Sequence, residues 1–167
     1  MSETGEFLKV AAVRFVRELP AAPAAVWTHI TEPARLAGWY GDASAIEPRL
    51  GGDVSLMGGH IRGVVTCWRP PMKLTHTWNV LAPGEEVSAY PESYLSLDLE
   101  AGAGGGTRLT LLHLPVLERF EPQNAMGWAT FLDILGDTLA GRALKPRPEY
   151  MAANAATYGV DLANLAR

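Results

Sequence analysis

The chain has 167 residues, 48% hydrophobic and 19% charged, with a net charge of −4. That length suits one domain with a sizeable core, and the apolar content excludes intrinsic disorder. No window gathers the five or six like charges that track a phosphate backbone, so nucleic acid is not an expected partner.

Met1 to Glu6 is acidic where a secretory leader is basic and then apolar, and no run of 18 apolar residues occurs. A soluble, cytoplasmic protein without membrane insertion is expected. The single cysteine, Cys67, permits no internal disulfide, in keeping with a reducing compartment. Seventeen glycines and twelve prolines are too many for a pure helical bundle and point to strands joined by tight turns.

Phe7 to Leu19 is β-branched and aromatic and predicts one long first strand. Pro20 and Pro23 stop it, and Pro23 opens a short helix carrying Val26, Trp27 and Ile30. A second short helix begins at Pro33 and ends at Gly38, ahead of Trp39, Tyr40 and Gly41. A meander of short strands follows over 45–50, 54–57, 62–69 and 73–80. After a polar loop over 83–91, residues 93–100 and 107–114 alternate cleanly, so one face of the sheet is buried.

After Pro115 the period changes to 3.6, and Trp128, Phe131, Leu132, Leu135 and Leu139 form one apolar stripe of a helix over 122–140. Asp133 and Asp137 fall on another side of it. Residues 1–145 are read as the domain and 146–167 as a tail, in which Met151, Ala155, Tyr158 and Leu162 could share one side of a short helix. This order predicts an α+β fold: an antiparallel sheet of six to seven strands with two short helices after strand one and a long C-terminal helix across one face. A strongly twisted sheet curls, and a straight helix on its concave side leaves a cavity between them.

Several ordered motifs resemble a known superfamily: Pro20 to Trp27, Pro33 to Gly41, Leu50-Gly51-Gly52, Pro70 to Leu74 ending in Thr77-Trp78, Gly106 to Leu111 with His113, and Gly127-Trp128. Over residues 7 to 141 the chain resembles the SRPBCC (START-like, helix-grip) superfamily, in the bacterial branch named after the C-terminal domain of the activator of heat-shock protein 90 ATPase. The resemblance implies a helix-grip fold whose cavity takes lipids, sterols, polyketides or other apolar molecules. It also implies a co-chaperone-like alternative, although the eukaryotic co-chaperone carries a further domain for which 167 residues leave no room. Cys67 stands where relatives often carry a glutamate.

The residues that bear on chemistry are few. His29, His60, His76 and His113 show no metal-site spacing, and no H-E-x-x-H, nucleophile elbow or phosphate loop occurs. No cofactor, metal or catalytic residue is therefore assigned. His113 shares parity with Leu109 and Leu111, and His76 with Leu74 and Trp78, which puts both histidines on the buried face. Trp39 and Tyr40 follow a helix stop and are expected as a gate at the cavity mouth. Met57, Trp78, Met126, Gly127, Trp128 and Phe131 complete the expected lining.

The function these features predict is non-catalytic binding of a small hydrophobic or amphipathic molecule. A chaperone-binding module would instead show an exposed apolar patch, and a cyclase or hydrolase would show a titratable group projecting into the cavity. A chaperone and a second copy of the chain stand beside the small molecule as partners to be tested.

Overall fold

The computed structural model describes residues 4–167. Strand β1 (Ala11–Leu19) is followed by helices α1 (Pro23–Thr31) and α2 (Pro33–Leu36). The meander comprises β2 (Ala45–Ile46), β3 (Asp53–Leu56), β4 (Ile61–Arg69), β5 (Lys73–Val80), β6 (Ser93–Ala101) and β7 (Thr107–Val116), and helices α3 (Glu121–Leu139) and α4 (Arg147–Tyr158) close the chain. All seven strands form one curved antiparallel sheet in the order β1-β7-β6-β5-β4-β3-β2. This is the α+β helix-grip architecture that the alternation and the late change of period predict.

The first strand is shorter than its composition suggests. Ala11 pairs with Val116, the last residue of β7, after a register shift between Ala11 and Val13. Beyond Ala11 the chain has no ladder partner from β7, and Phe7, Leu8 and Val10 lie exposed. Propensity for strand without a neighbouring strand makes no hydrogen bonds. The segment after Ile46 departs in a similar way: only two residues pair, and the chain then turns through Gly51 and Gly52, which bond to Val65.

The inner face of the sheet carries the core. Leu95, Leu97 and Leu99 of β6 stand opposite His113, Leu111 and Leu109 of β7, while Leu74 and His76 of β5 face Leu97 and Leu95. Trp128, Leu132 and Leu135 of α3 are buried in the same cluster, as are Val26, Trp27 and Ile30 of α1. Trp27 meets Trp68 edge-on at 5.0 Å. One rung of the sheet runs Val13, His113, Leu95, His76, Val65, so two histidines lie side by side across a leucine beneath the long helix.

Helix α4 packs on α3. Its buried residues are Tyr150, Asn154 and Ala155, with Tyr158 meeting Phe15 edge-on at 6.5 Å, whereas Leu162 is exposed. The side of α3 bearing Asp133 and Asp137 therefore carries a dock: Asn154 donates to Asp133 at 2.9 Å and Tyr150 to Asp137 at 2.7 Å. Among the described residues no helix is long and apolar enough to cross a membrane.

Candidate functional site: an aromatic cavity beside the long helix

A cavity of about 480 Å³ lies between one end of the sheet and the first half of α3. The sheet contributes Ile61, Trp78, Val80, Ser93, Pro115 and Val116, and α3 contributes Gln123, Asn124, Gly127, Trp128 and Phe131. Met57, His60, Tyr90, Pro91, Leu117 and Phe120 come from the connecting segments, and Ala166 from the C-terminal end. On α3 the residues Asn124, Gly127, Trp128 and Phe131 are spaced i, i+3, i+4 and i+7, one face of the helix. A Cβ built on Gly127 meets no atom within 4 Å, so the missing side chain leaves open space in the wall.

Of the residues expected from sequence, Met57, Trp78, Gly127, Trp128 and Phe131 line this cavity. Trp39, Tyr40, His76 and His113 do not, although they pack behind it, and Met126 is buried outside the lining. Trp39 is 1% and Tyr40 2% exposed, which corrects the expectation of a gate. Their rings stack at 3.9 Å, and Tyr40 packs edge-on against Phe131 and Trp128 at 5.2 and 6.2 Å. Trp39 donates to the His29 carbonyl at 2.8 Å and its own carbonyl accepts from Arg147 at 2.8 Å. The pair is a keystone between α2, α3 and α4, because burying two large rings contributes more than leaving them in a mobile flap.

Tyr90 and Phe120 were missed. They pack edge-on at 5.4 Å on the cavity wall, with the Arg119 guanidinium 4.7 Å from the Phe120 ring centre. Both sit in connecting segments where periodicity says nothing, and an aromatic ring beside Pro91 in a polar loop was the only signal. Met57 holds its place in the wall with a φ of 53°, its N–H donating to Ser44 Oγ at 2.9 Å.

Behind the cavity, hydrogen-bond chemistry sets the protonation of His113. An indole N–H can only donate, and Trp128 Nε1 lies 3.0 Å from His113 Nδ1. Nδ1 is therefore bare and the proton sits on Nε2, which donates to Ser93 Oγ at 2.8 Å. The Ser93 hydroxyl passes its own proton to the Trp78 carbonyl at 3.0 Å. Ser93 and His113 are thus wired in the opposite sense to a nucleophile and its base, in which the hydroxyl donates to the imidazole. Burial pushes the His113 pKa down to about 4, so the ring is neutral at pH 7.

His76, also buried, donates from Nδ1 to the Thr77 carbonyl at 2.8 Å and stacks against Trp78. Burial pushes its pKa down to about 4 as well, while the buried Tyr40 hydroxyl is raised by the same desolvation. At the cavity rim His60 donates from Nδ1 to the Leu81 carbonyl at 2.9 Å. Among the described residues no group of three or more His, Cys, Asp or Glu side chains could hold a metal ion.

Residues 20–140 match the family described as Activator of Hsp90 ATPase homolog 1-like protein. The chain belongs to that family. Comparison with curated proteins finds no match. Among solved structures, CalU16 from Micromonospora echinospora is 26% identical, with a TM-score of 0.66 over 89% of this chain and 86% of that one. DynU16, a protein of the dynemicin biosynthetic locus, is also 26% identical, with a TM-score of 0.66 over 78% of this chain and 48% of its own. PFC0360w, an HSP90 activator from Plasmodium falciparum, is 20% identical, with a TM-score of 0.66 over 80% of this chain and 99% of that one. This last likeness is one of fold.

Proposed function

We propose that this family member binds a neutral, largely apolar small molecule in the cavity between the curved sheet and α3, and holds it without chemical conversion. The observation that carries the reading is the wall itself: about 480 Å³ lined by Trp78, Tyr90, Phe120, Trp128, Phe131 and aliphatic side chains, with no Asp, Glu, Lys or Arg among its residues. The volume lies within the range of about 300–1,000 Å³ typical of small-molecule sites, and such sites are mostly apolar with few polar groups. A charged ligand entering it would shed its hydration against lining residues that include no Asp, Glu, Lys or Arg.

The wiring of Ser93 and His113 supports binding over nucleophilic turnover, since neither atom is poised to attack or to take a proton. The likeness to DynU16 agrees with a role beside small-molecule metabolism. Chaperone activation stands in the description of the family and of the Plasmodium protein, whose own likeness to this chain is one of fold.

Titration with fatty alcohols, sterols and neutral aromatic polyketides is expected to shift the tryptophan emission, because Trp78 and Trp128 stand in the wall. Gly127→Leu places a side chain into the open space beside α3 and favours helix by about 0.5–1 kcal/mol. It should keep or raise the melting temperature while weakening binding at least tenfold. A panel without any spectral response, or a Gly127→Leu protein that binds as well as the original, would remove the cavity as the site.

A further inference from the structure

One acceptor in the cavity wall has no partner. Asn124, on the lining face of α3 one turn before Trp128, places its side-chain nitrogen 3.3 Å from His113 Nδ1. Trp128 has already made that nitrogen a bare acceptor by donating to it at 3.0 Å. The Asn124 amide must then present its NH₂ to the ring, because its oxygen would meet a lone pair there. The indole fixes the tautomer, the tautomer fixes the amide, and the amide turns Oδ1 away from the histidine. Oδ1 is buried and finds no hydrogen-bond partner.

Among the lining residues Asn124 Oδ1 alone is both buried and without a partner, and several other polar atoms of the wall are engaged. Ser93 Oγ accepts from His113 and donates to Trp78, Gln123 Oε1 accepts from the Ala166 N–H at 3.0 Å, and His60 Nδ1 donates to Leu81. A buried acceptor left unmade is unfavourable, and a neutral donor delivered with the ligand relieves it. The same wall carries Trp78, Trp128 and Phe131, whose rings meet at 5.0 and 5.8 Å in tilted and edge-on arrangements suited to a flat aromatic guest.

We infer that Asn124 is the recognition point of the cavity and selects neutral aromatic molecules that carry a hydroxyl group, the hydroxyl donating to Oδ1. The inference rests on the cavity being a ligand site. It goes further in naming the group that is read and the residue that reads it.

Isothermal titration calorimetry with 2-naphthol, naphthalene and 2-methoxynaphthalene tests it. Water favours naphthol over naphthalene, so partition into an apolar hole by itself would favour naphthalene. The expected result is at least tenfold tighter binding of 2-naphthol than of either other compound. Asn124→Leu should bring the three affinities within about twofold of one another. A structural defect would instead weaken all three alike, and that result overturns the assignment. Should the variant fail to fold, the ratio in the unaltered protein decides. Equal binding of the three, or binding of none, overturns the role of Asn124, and the cavity reading falls with it only if the lipid, sterol and polyketide panel is silent as well.

Discussion

Two glycines that look alike in sequence do opposite work. Gly127 faces open space, but a Cβ on Gly63 would strike the carbonyl of Thr77 across the β4–β5 pair, where Val64 N–H also donates to Thr77 Oγ1 at 2.9 Å. Backbone cannot give way as a flexible side chain can. Gly63→Ala is expected to destabilise the fold by more than about 2 kcal/mol, read as a lower urea midpoint, since overpacking of this kind typically costs 1–3 kcal/mol. An unchanged midpoint would show that the strands separate freely there. At the same scale, His113 was visible from parity alone as an inward residue. That both of its nitrogens are spent on Trp128 and Ser93 was not, because a strand pattern gives the face of a side chain and not its partners.

Among elements, α4 has a binding face that sequence reads only in part: Ala155 is buried and Tyr158 meets Phe15, but Leu162 is exposed. Hydropathy assigns Met151, Ala155, Tyr158 and Leu162 to one side, but the docked side uses Tyr150 and Asn154 to reach Asp137 and Asp133. A helix held by polar groups leaves little apolar periodicity to read. Tyr150→Phe should cost about 1–2 kcal/mol, the range for a hydrogen bond to a charged acceptor reduced by its closeness to solvent, and raise amide exchange in α4 selectively. The hydrogen bond from Tyr150, followed by Arg142, holds the Asp137 carboxyl below the usual range, and the same bond raises the Tyr150 phenol. A lowered carboxyl contributes stability above its unfolded pKa that is lost as the pH falls through the folded value. A raised phenol contributes stability below its unfolded pKa that is lost as the pH climbs through the folded value. Docking of α4 should therefore persist across neutral pH and loosen at both extremes.

For the whole molecule, the rung carrying His76 and His113 makes acid the weak side. Both are buried neutral, with pKa values pushed down to about 4, while the unfolded chain titrates near the ordinary histidine value of about 6.5. Stability from this source is fully present above about pH 6.5 and falls between there and 4, by about 3 kcal/mol for each histidine. Thermal unfolding should show that decline, and His76→Leu should make it shallower. Parallel curves for the two proteins would show that His76 is not what acid attacks.

Sequence by itself determined the order of elements, the alternation that buries one sheet face and the change to helical period after Pro115, since each depends on residues close together along the chain. The pairing of the motifs with a helix-grip architecture was legible for the same reason. Only the tertiary structure decided that Trp39 and Tyr40 are core, that Tyr90 and Phe120 meet at the cavity, and that Asn124 keeps an unmade hydrogen bond there. Those outcomes depend on which distant side chains fill or leave space against one another, and on where a single indole proton goes. Local periodicity holds no record of either.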